Sequence, residues 1–136
     1  MPYLVALILI ILDQLTKYAF YNKRLFHYAY IFSKHVFNTG ISWWIKIFPF
    51  DILKIITVLV LIGIRRLYKK KYIWPLAFTL FLAGGIWNLI DRFYLGWVRD
   101  FITIFDWFPT FNVADIYITL WAFLILIKWG KYNWFL

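Results

Sequence analysis

The sequence predicts a membrane α-helical protein with four transmembrane spans, and three observations carry that expectation. Of its 136 residues, 65% are hydrophobic and 25% aromatic, with a mean hydropathy of +0.75, whereas soluble domains sit nearer half apolar. The apolar residues fall into four stretches close to the length that crosses a ~30 Å hydrocarbon core as a helix. The basic residues of a chain with net charge +9 gather at the ends of those stretches, as topology signals and headgroup contacts do. The length allows one domain, residues 1–136.

The first span covers residues 2–21 and is interrupted only by Asp13, Gln14, Thr16 and Lys17. Those polar residues and the lack of a small-residue cleavage pattern argue for a retained helix over a signal peptide. Residues 22–47 mix cations, histidines and aromatics around the turn signal Asn38-Thr39-Gly40, and their loose alternation is compatible with short strands. The second span, residues 48–64, contains Lys54, which can snorkel. It is followed by Arg65-Arg66-Leu67-Tyr68-Lys69-Lys70-Lys71, five cations in seven residues. The third span, 74–90, starts with Pro75 in a helical first turn and carries Gly84-Gly85, where a neighbouring backbone can come close. A connection over 91–111 precedes the last span, 113–129.

The five-cation run marks the cytoplasmic side, which puts both termini there and sends residues 22–47 and 91–112 outward. The outward loop carries Lys23, Arg24, Lys34 and Lys46 of its own. Asp13, the Asn38 turn, Asp91, Arg92, Asp100, Asn112 and Asp115 then share one depth near the outer interface.

Several chemistries are excluded or disfavoured. Without cysteine there is no disulfide, thiol nucleophile or thiolate metal site. His27 and His35 lack a third ligand at metal spacing and read as interfacial packing residues, so no metal or cofactor is expected. The positive charge suits anionic headgroups rather than nucleic acid.

All six acids are aspartates, and four lie between Gly84 and Asp115 in almost continuous apolar sequence. Ionisable groups at membrane depth are costly and point to function. Two carboxylates in a low-dielectric site cannot both ionise cheaply, so one keeps a proton. The ionised member can then activate water while the other polarises a carbonyl. Asn112 suits the N-cap of the last span, which puts Asp115 at the third helical position, where the dipole favours its ionised form. Each acid alone has a plainer reading. Asp115 is a first-turn helix carboxylate, Asp91 beside Arg92 a span-end ion pair, Asp13 with Lys17 an i,i+4 salt bridge, and Asp51 and Asp106 solvated loop acids.

Their order along the chain is more specific. The blocks Asp13-Gln14-Leu15-Thr16-Lys17, Asn38-Thr39-Gly40, Gly84 through Arg92, Val98-Arg99-Asp100-Phe101 and Phe111-Asn112-Val113-Ala114-Asp115 together resemble lipoprotein signal peptidase, the signal peptidase II family of membrane aspartyl proteases. The resemblance implies a four-helix membrane bundle with a small extracytoplasmic β-subdomain, here residues 22–47, in the bacterial cytoplasmic membrane. It implies Asp100 and Asp115 as the catalytic pair, and Asn38, Asn88, Arg92 and Asn112 as polar groups that line the site and contact substrate. Asp13, Lys17 and Asp91 fall in supporting roles. The implied substrate is a diacylglyceryl-modified prolipoprotein cut before its lipidated cysteine, and the implied inhibitors are globomycin-like cyclic peptides. One chain supplies every group required, so a monomer suffices. Trp87, Ile41-Ser42-Trp43 and Ile116 depart from the family's small residues and serine, which bears on pocket size. The competing readings are a catalytically inactive lipopeptide-binding relative and a proton-coupled transporter. The second needs a polar path through the full membrane depth, whereas Leu4–Leu12, Ile55–Ile64 and Leu120–Ile127 are almost wholly apolar.

Overall fold

The computed structural model describes residues 1–22, 36–40 and 50–133. Helix α1 (Pro2–Lys17) runs into a π-helical turn (Tyr18–Asn22). Strand β1 (Val36–Asn38), helices α2 (Phe50–Lys69) and α3 (Pro75–Tyr94), strand β2 (Val98–Asp100) and helix α4 (Val113–Asn133) follow. Most of the expected 22–47 subdomain, with His27, His35 and Ile41-Ser42-Trp43, lies outside the described residues. The part within them pairs β1 antiparallel with β2, Val36 opposite Asp100 and Asn38 opposite Val98.

Among the described residues three helical stretches, Pro2–Phe20, Pro75–Tyr94 and Val113–Gly130, are long and apolar enough to cross a membrane. The helix α2 is as long, but Asp51, Lys54, Arg65, Arg66 and Lys69 interrupt it. Two boundaries differ from expectation because hydropathy stops at a charge and a helical backbone does not. The basic run Arg65–Lys69 continues α2, and Asp91 and Arg92 belong to α3 rather than to a connection. Helix α3 stops only at Leu95, whose N–H still reaches the Asp91 carbonyl, just before Gly96 turns the chain at φ +81°. Asp51 likewise sits in the first turn of α2 rather than in a loop, bonded to Lys54 at 2.8 Å.

The central helix is α3, buried along most of its length, while α1 and α4 turn most of theirs outward. At its N-terminal end, Phe78 stacks on Tyr68 of α2 at 4.1 Å and meets Tyr3 of α1 edge-on at 5.6 Å. At mid-height Gly84 lets α4 come close: a Cβ there would lie 2.5 Å from the Ala114 carbonyl oxygen and 2.8 Å from Ile118. One turn further along, that closeness brings Asn88 against the first turn of α4.

A buried ionic cluster fastens the other end. Lys17, fully buried, lies 3.0 Å from Asp13 on its own helix and 3.3 Å from Asp91 on α3. Asp91 also takes the Arg99 guanidinium of β2 at 2.8 Å, and Gln14 bridges the two by donating to Asp91 and accepting from Arg99. The expected Asp13–Lys17 pair is present; the expected Asp91–Arg92 pair is not. Adjacent helical residues point about 100° apart and do not face each other, so Asp91 turns to α1 and β2 while Arg92 turns to Gly40 in the turn after β1.

Two expectations follow. Gly84→Ala overpacks the α3–α4 crossing and lowers stability by about 1–3 kcal/mol. Gly63→Ala, with nothing within 4 Å, leaves it unchanged or slightly higher; unfolding midpoints in detergent compare them, and equal shifts would contradict the close approach. Lys17→Met strands the buried Asp13 carboxylate, while Asp91 keeps Arg99, and costs about 3–5 kcal/mol, part of which Lys17→Met/Asp13→Asn restores by removing the stranded charge.

Candidate active site

Asp100 closes strand β2 and is buried. Asn38, two residues beyond its strand partner Val36, donates from Nδ2 to Asp100 Oδ2 at 2.9 Å. The Asn38 side-chain oxygen accepts the Gly40 N–H at 2.9 Å, a local turn that fixes the amide so that its nitrogen faces the acid. After Asp100 the chain goes out and returns: Phe101 and Ile102 donate to the Phe111 carbonyl, Phe111 donates back to Ile102, and the buried hydroxyls of Thr103 and Thr110 bond at 3.0 Å. This closed loop delivers Asn112 beside Asp100, with Nδ2 2.6 Å from Oδ1.

Asn112 also starts α4. Its side-chain oxygen accepts the Asp115 N–H at 3.2 Å and its own N–H donates to Asp115 Oδ2 at 3.0 Å, a reciprocal capping box with Asp at the third position. The N-cap expected from sequence is therefore present. Ala114, whose N–H a helix start leaves unpaired, donates to Asp13 of α1 at 3.0 Å.

Asn88 completes the ring. Its oxygen accepts from Lys17 at 3.3 Å and Asn112 at 3.2 Å, so its nitrogen must face Asp115, at 2.7 Å. Arg92 reaches across to the turn after β1, donating to the Gly40 carbonyl at 3.1 Å, and also donates to the Asn88 carbonyl of its own helix at 3.2 Å. Its Nε–H is buried with no partner among the described residues.

Polar groups from α1, β1, α3, β2 and α4 thus join in one network that holds all the candidate residues. Its charges nearly cancel: Lys17, Arg92 and Arg99 stand against Asp13, Asp91, Asp100 and Asp115. A single proton on the two less-paired acids, Asp100 and Asp115, makes the buried cluster neutral. Burial, with the neighbouring Asp115 charge adding, pushes the Asp100 carboxyl up to about 7 against the two amide hydrogen bonds that pull it down. No group of three metal-ligating side chains occurs among the described residues.

A cleft of about 350 Å³ opens onto this network between α2, α3 and α4. Asn88, Arg92 and Asp115 line its polar end, and Leu53, Val60 and Phe81 its apolar walls. Trp87 and Ile116, whose departure from the family's residues bears on pocket size, are not among the residues that line it. Trp87 is buried inside the bundle and Ile116 faces outward, each one helical step away from the residue that faces the cleft. Sequence reasoning assigned no role to Arg99 or Gln14. The signal lay in strand period: Arg99 must face opposite Asp100, and two buried acids beside one lysine need a second cation.

The chain matches the Signal peptidase (SPase) II family profile over residues 5–130. A lipoprotein signal peptidase of Acinetobacter baumannii is 35% identical over 137 aligned positions, 87% of this chain and 76% of its own. Those of Enterococcus faecalis and Staphylococcus aureus are 34% and 33% identical, over 83% and 91% of this chain and 77% and 84% of theirs. A bacterial membrane enzyme structure, solved by the in meso method at 2.3 Å resolution, superposes with a TM-score of 0.77 at 30% identity, over 96% of this chain and 87% of that one. With a match across nearly its whole length, the chain belongs to the signal peptidase II family, the aspartyl endopeptidases that remove signal peptides from prolipoproteins.

Proposed function

We propose that Asp100 and Asp115 form the catalytic pair of this endopeptidase and share one proton in the resting enzyme. One observation carries the reading: Asn112 holds both acids, Asp100 through its side-chain amide at 2.6 Å and Asp115 through its backbone N–H at 3.0 Å. The capping box donates the Asn112 N–H to Asp115 Oδ2, and the burial of Asp100 favours its protonated form, although the proton belongs to the pair. The ionised member removes a proton from water as its oxygen attacks the scissile carbonyl. The protonated member gives its proton to the carbonyl oxygen, and a tetrahedral diol results. A proton then passes from the pair to the amide nitrogen as the C–N bond breaks. One hydroxyl proton returns to the pair, leaving an acid and an amine. The Nε–H of Arg92, unpartnered among the described residues, and the amides of Asn38, Asn88 and Asn112 hold substrate or carboxylate in place, as fixed donors in a dry site do.

The cleft between α2, α3 and α4 suits the end of an apolar signal helix entering sideways from the bilayer, with cleavage before the lipidated cysteine and the acyl chains left in lipid. Membrane lipids and the lipid-modified prolipoprotein are then the working partners, and globomycin-like peptides compete for the same cleft. In this reading α2 also crosses, since Ile52, Ile55, Ile56, Val58, Leu59, Val60 and Ile62 form an exposed apolar belt on it. Four crossings with the five-cation run inside place both termini in the cytoplasm and the site near the outer face of the bacterial cytoplasmic membrane. Residues 1–136 act as one monomeric protease domain.

Asp100→Asn and Asp115→Asn preserve shape and remove acidity. Each is expected to lower cleavage of a fluorescent diacylated lipopeptide by roughly 10²–10⁴-fold or more while the protein stays folded in the membrane. Near wild-type turnover in either would overturn the pairing, and wild-type protein that binds the lipopeptide without cutting it would favour an inactive relative. The pH profile follows from the raised Asp100 value. A carboxyl held up to about 7 keeps its proton below that pH and loses it above, so kcat/KM should fall on the alkaline side of neutrality. Activity that climbs steadily through mildly alkaline pH would contradict the shared proton.

A further inference from the structure

At the end of the bundle opposite the aspartates lies a larger cleft, about 720 Å³, between the C-terminal turns of α2 and α4 and the turn joining α2 to α3. Its walls are apolar: Ile64, Leu67, Ile73, Trp121 and Ile125. Its rim carries Lys70, Lys71 and Lys128, with Arg65, Arg66 and Lys69 on the adjoining helix. None of the six aspartates lies in this part of the chain. Neither the Lys70 nor the Lys71 ammonium has an ion-pair partner among the described residues.

The turn itself is unusual. Lys71 adopts a left-handed backbone, φ 63°, in a Schellman termination in which Tyr72 N–H reaches the Leu67 carbonyl at 3.0 Å and Lys71 N–H the Tyr68 carbonyl at 2.9 Å. Glycine is the residue that takes this position without strain, and a side chain there is disfavoured. Lys128 of α4 locks the turn by donating to the Tyr72 carbonyl at 2.8 Å, and its ammonium lies 5.6 Å from the Trp74 ring centroid. A strained position filled by a lysine and braced from another helix holds a cation over the mouth of an apolar cleft.

We propose that this cleft binds one anionic phospholipid, its phosphate between Lys70 and Lys71 and an acyl chain along Ile64, Leu67, Trp121 and Ile125. Charge complementarity selects this occupant. A second copy of the chain on the same face would bring two basic rims together, whereas an anionic headgroup meets the unpaired ammoniums and its chain replaces bulk lipid in the groove. The site binds α2 to α4 at the basic end, and its occupancy is independent of the catalytic assignment.

The test uses the full-length enzyme, delipidated in detergent and then supplied with phosphatidylglycerol or phosphatidylcholine. Native mass spectrometry reads retained lipid, and the unfolding midpoint reads stabilisation. The wild type should keep one phosphatidylglycerol and prefer it over phosphatidylcholine. Lys70→Gln/Lys71→Gln should lose retention by roughly tenfold or more, and Ile125→Trp, which fills the cleft and leaves every charge, should lose it as well. Arg65→Gln, outside the cleft, should keep it. Lys71→Gly separates fold from binding, because it relieves the backbone and raises the lipid-free midpoint while weakening lipid retention. Equal retention of the two lipids would overturn the proposal, as would retention surviving Ile125→Trp, equal loss in Arg65→Gln, the same stabilisation by inorganic phosphate alone, or dimers formed through this face.

Discussion

Four carboxylates and three cations lie together in a site that water scarcely reaches, and the rest of the molecule is arranged around making that tolerable. An isolated charge in such surroundings shifts its protonation rather than remain. Here Asp13 and Asp91 are matched by Lys17 and Arg99, which leaves Asp100 and Asp115 with the Arg92 charge between them. The proposed catalytic pair is thus the remainder of a structural charge balance: one proton on it makes the cluster neutral.

The asparagines convert this balance into geometry. Each has its amide direction fixed by something outside the pair: Asn38 by the Gly40 N–H, Asn88 by Lys17, Asn112 by its role as the cap of α4. Their nitrogens consequently face the carboxylates, the fixed arrangement that the proposed chemistry calls for. Gly84 carries this further into the backbone, since the α3–α4 approach it permits is what lets Asn88 reach Asp115 at 2.7 Å. A helix crossing, a polar ring and a proton inventory are three levels of one arrangement.

Much of this was legible in the sequence and some could not have been. The helix order, the Asp13–Lys17 pair and the Asn112 cap depend on short-range spacing, which hydropathy and capping chemistry report well. The pairing of Asp91 with Lys17 and Arg99 instead of Arg92 depends on which way a three-residue strand faces, and that is settled by Val36 some sixty positions earlier. The continuation of α3 to Tyr94 escaped because polarity was read as a boundary, although the backbone had no breaker before Gly96. Trp87 departs from the small residue of the family beside Asn88, yet a 100° step on a helix sends it into the bundle. The left-handed Lys71 had no sequence signal at all, since the usual mark of that turn is a glycine.

The proposed shared proton is tested directly by infrared difference spectroscopy of the protonated-carboxyl C=O stretch, titrated through neutrality in the reconstituted enzyme. A cluster that is neutral with one proton predicts a single protonated carboxyl per chain below about pH 7, lost on raising the pH. That band should be absent at every neutral pH when either Asp100 or Asp115 is Asn, because three acids then balance three cations unaided. No protonated carboxyl in the wild type, or a band that persists in either variant, would contradict the charge balance on which the structure and its chemistry are argued.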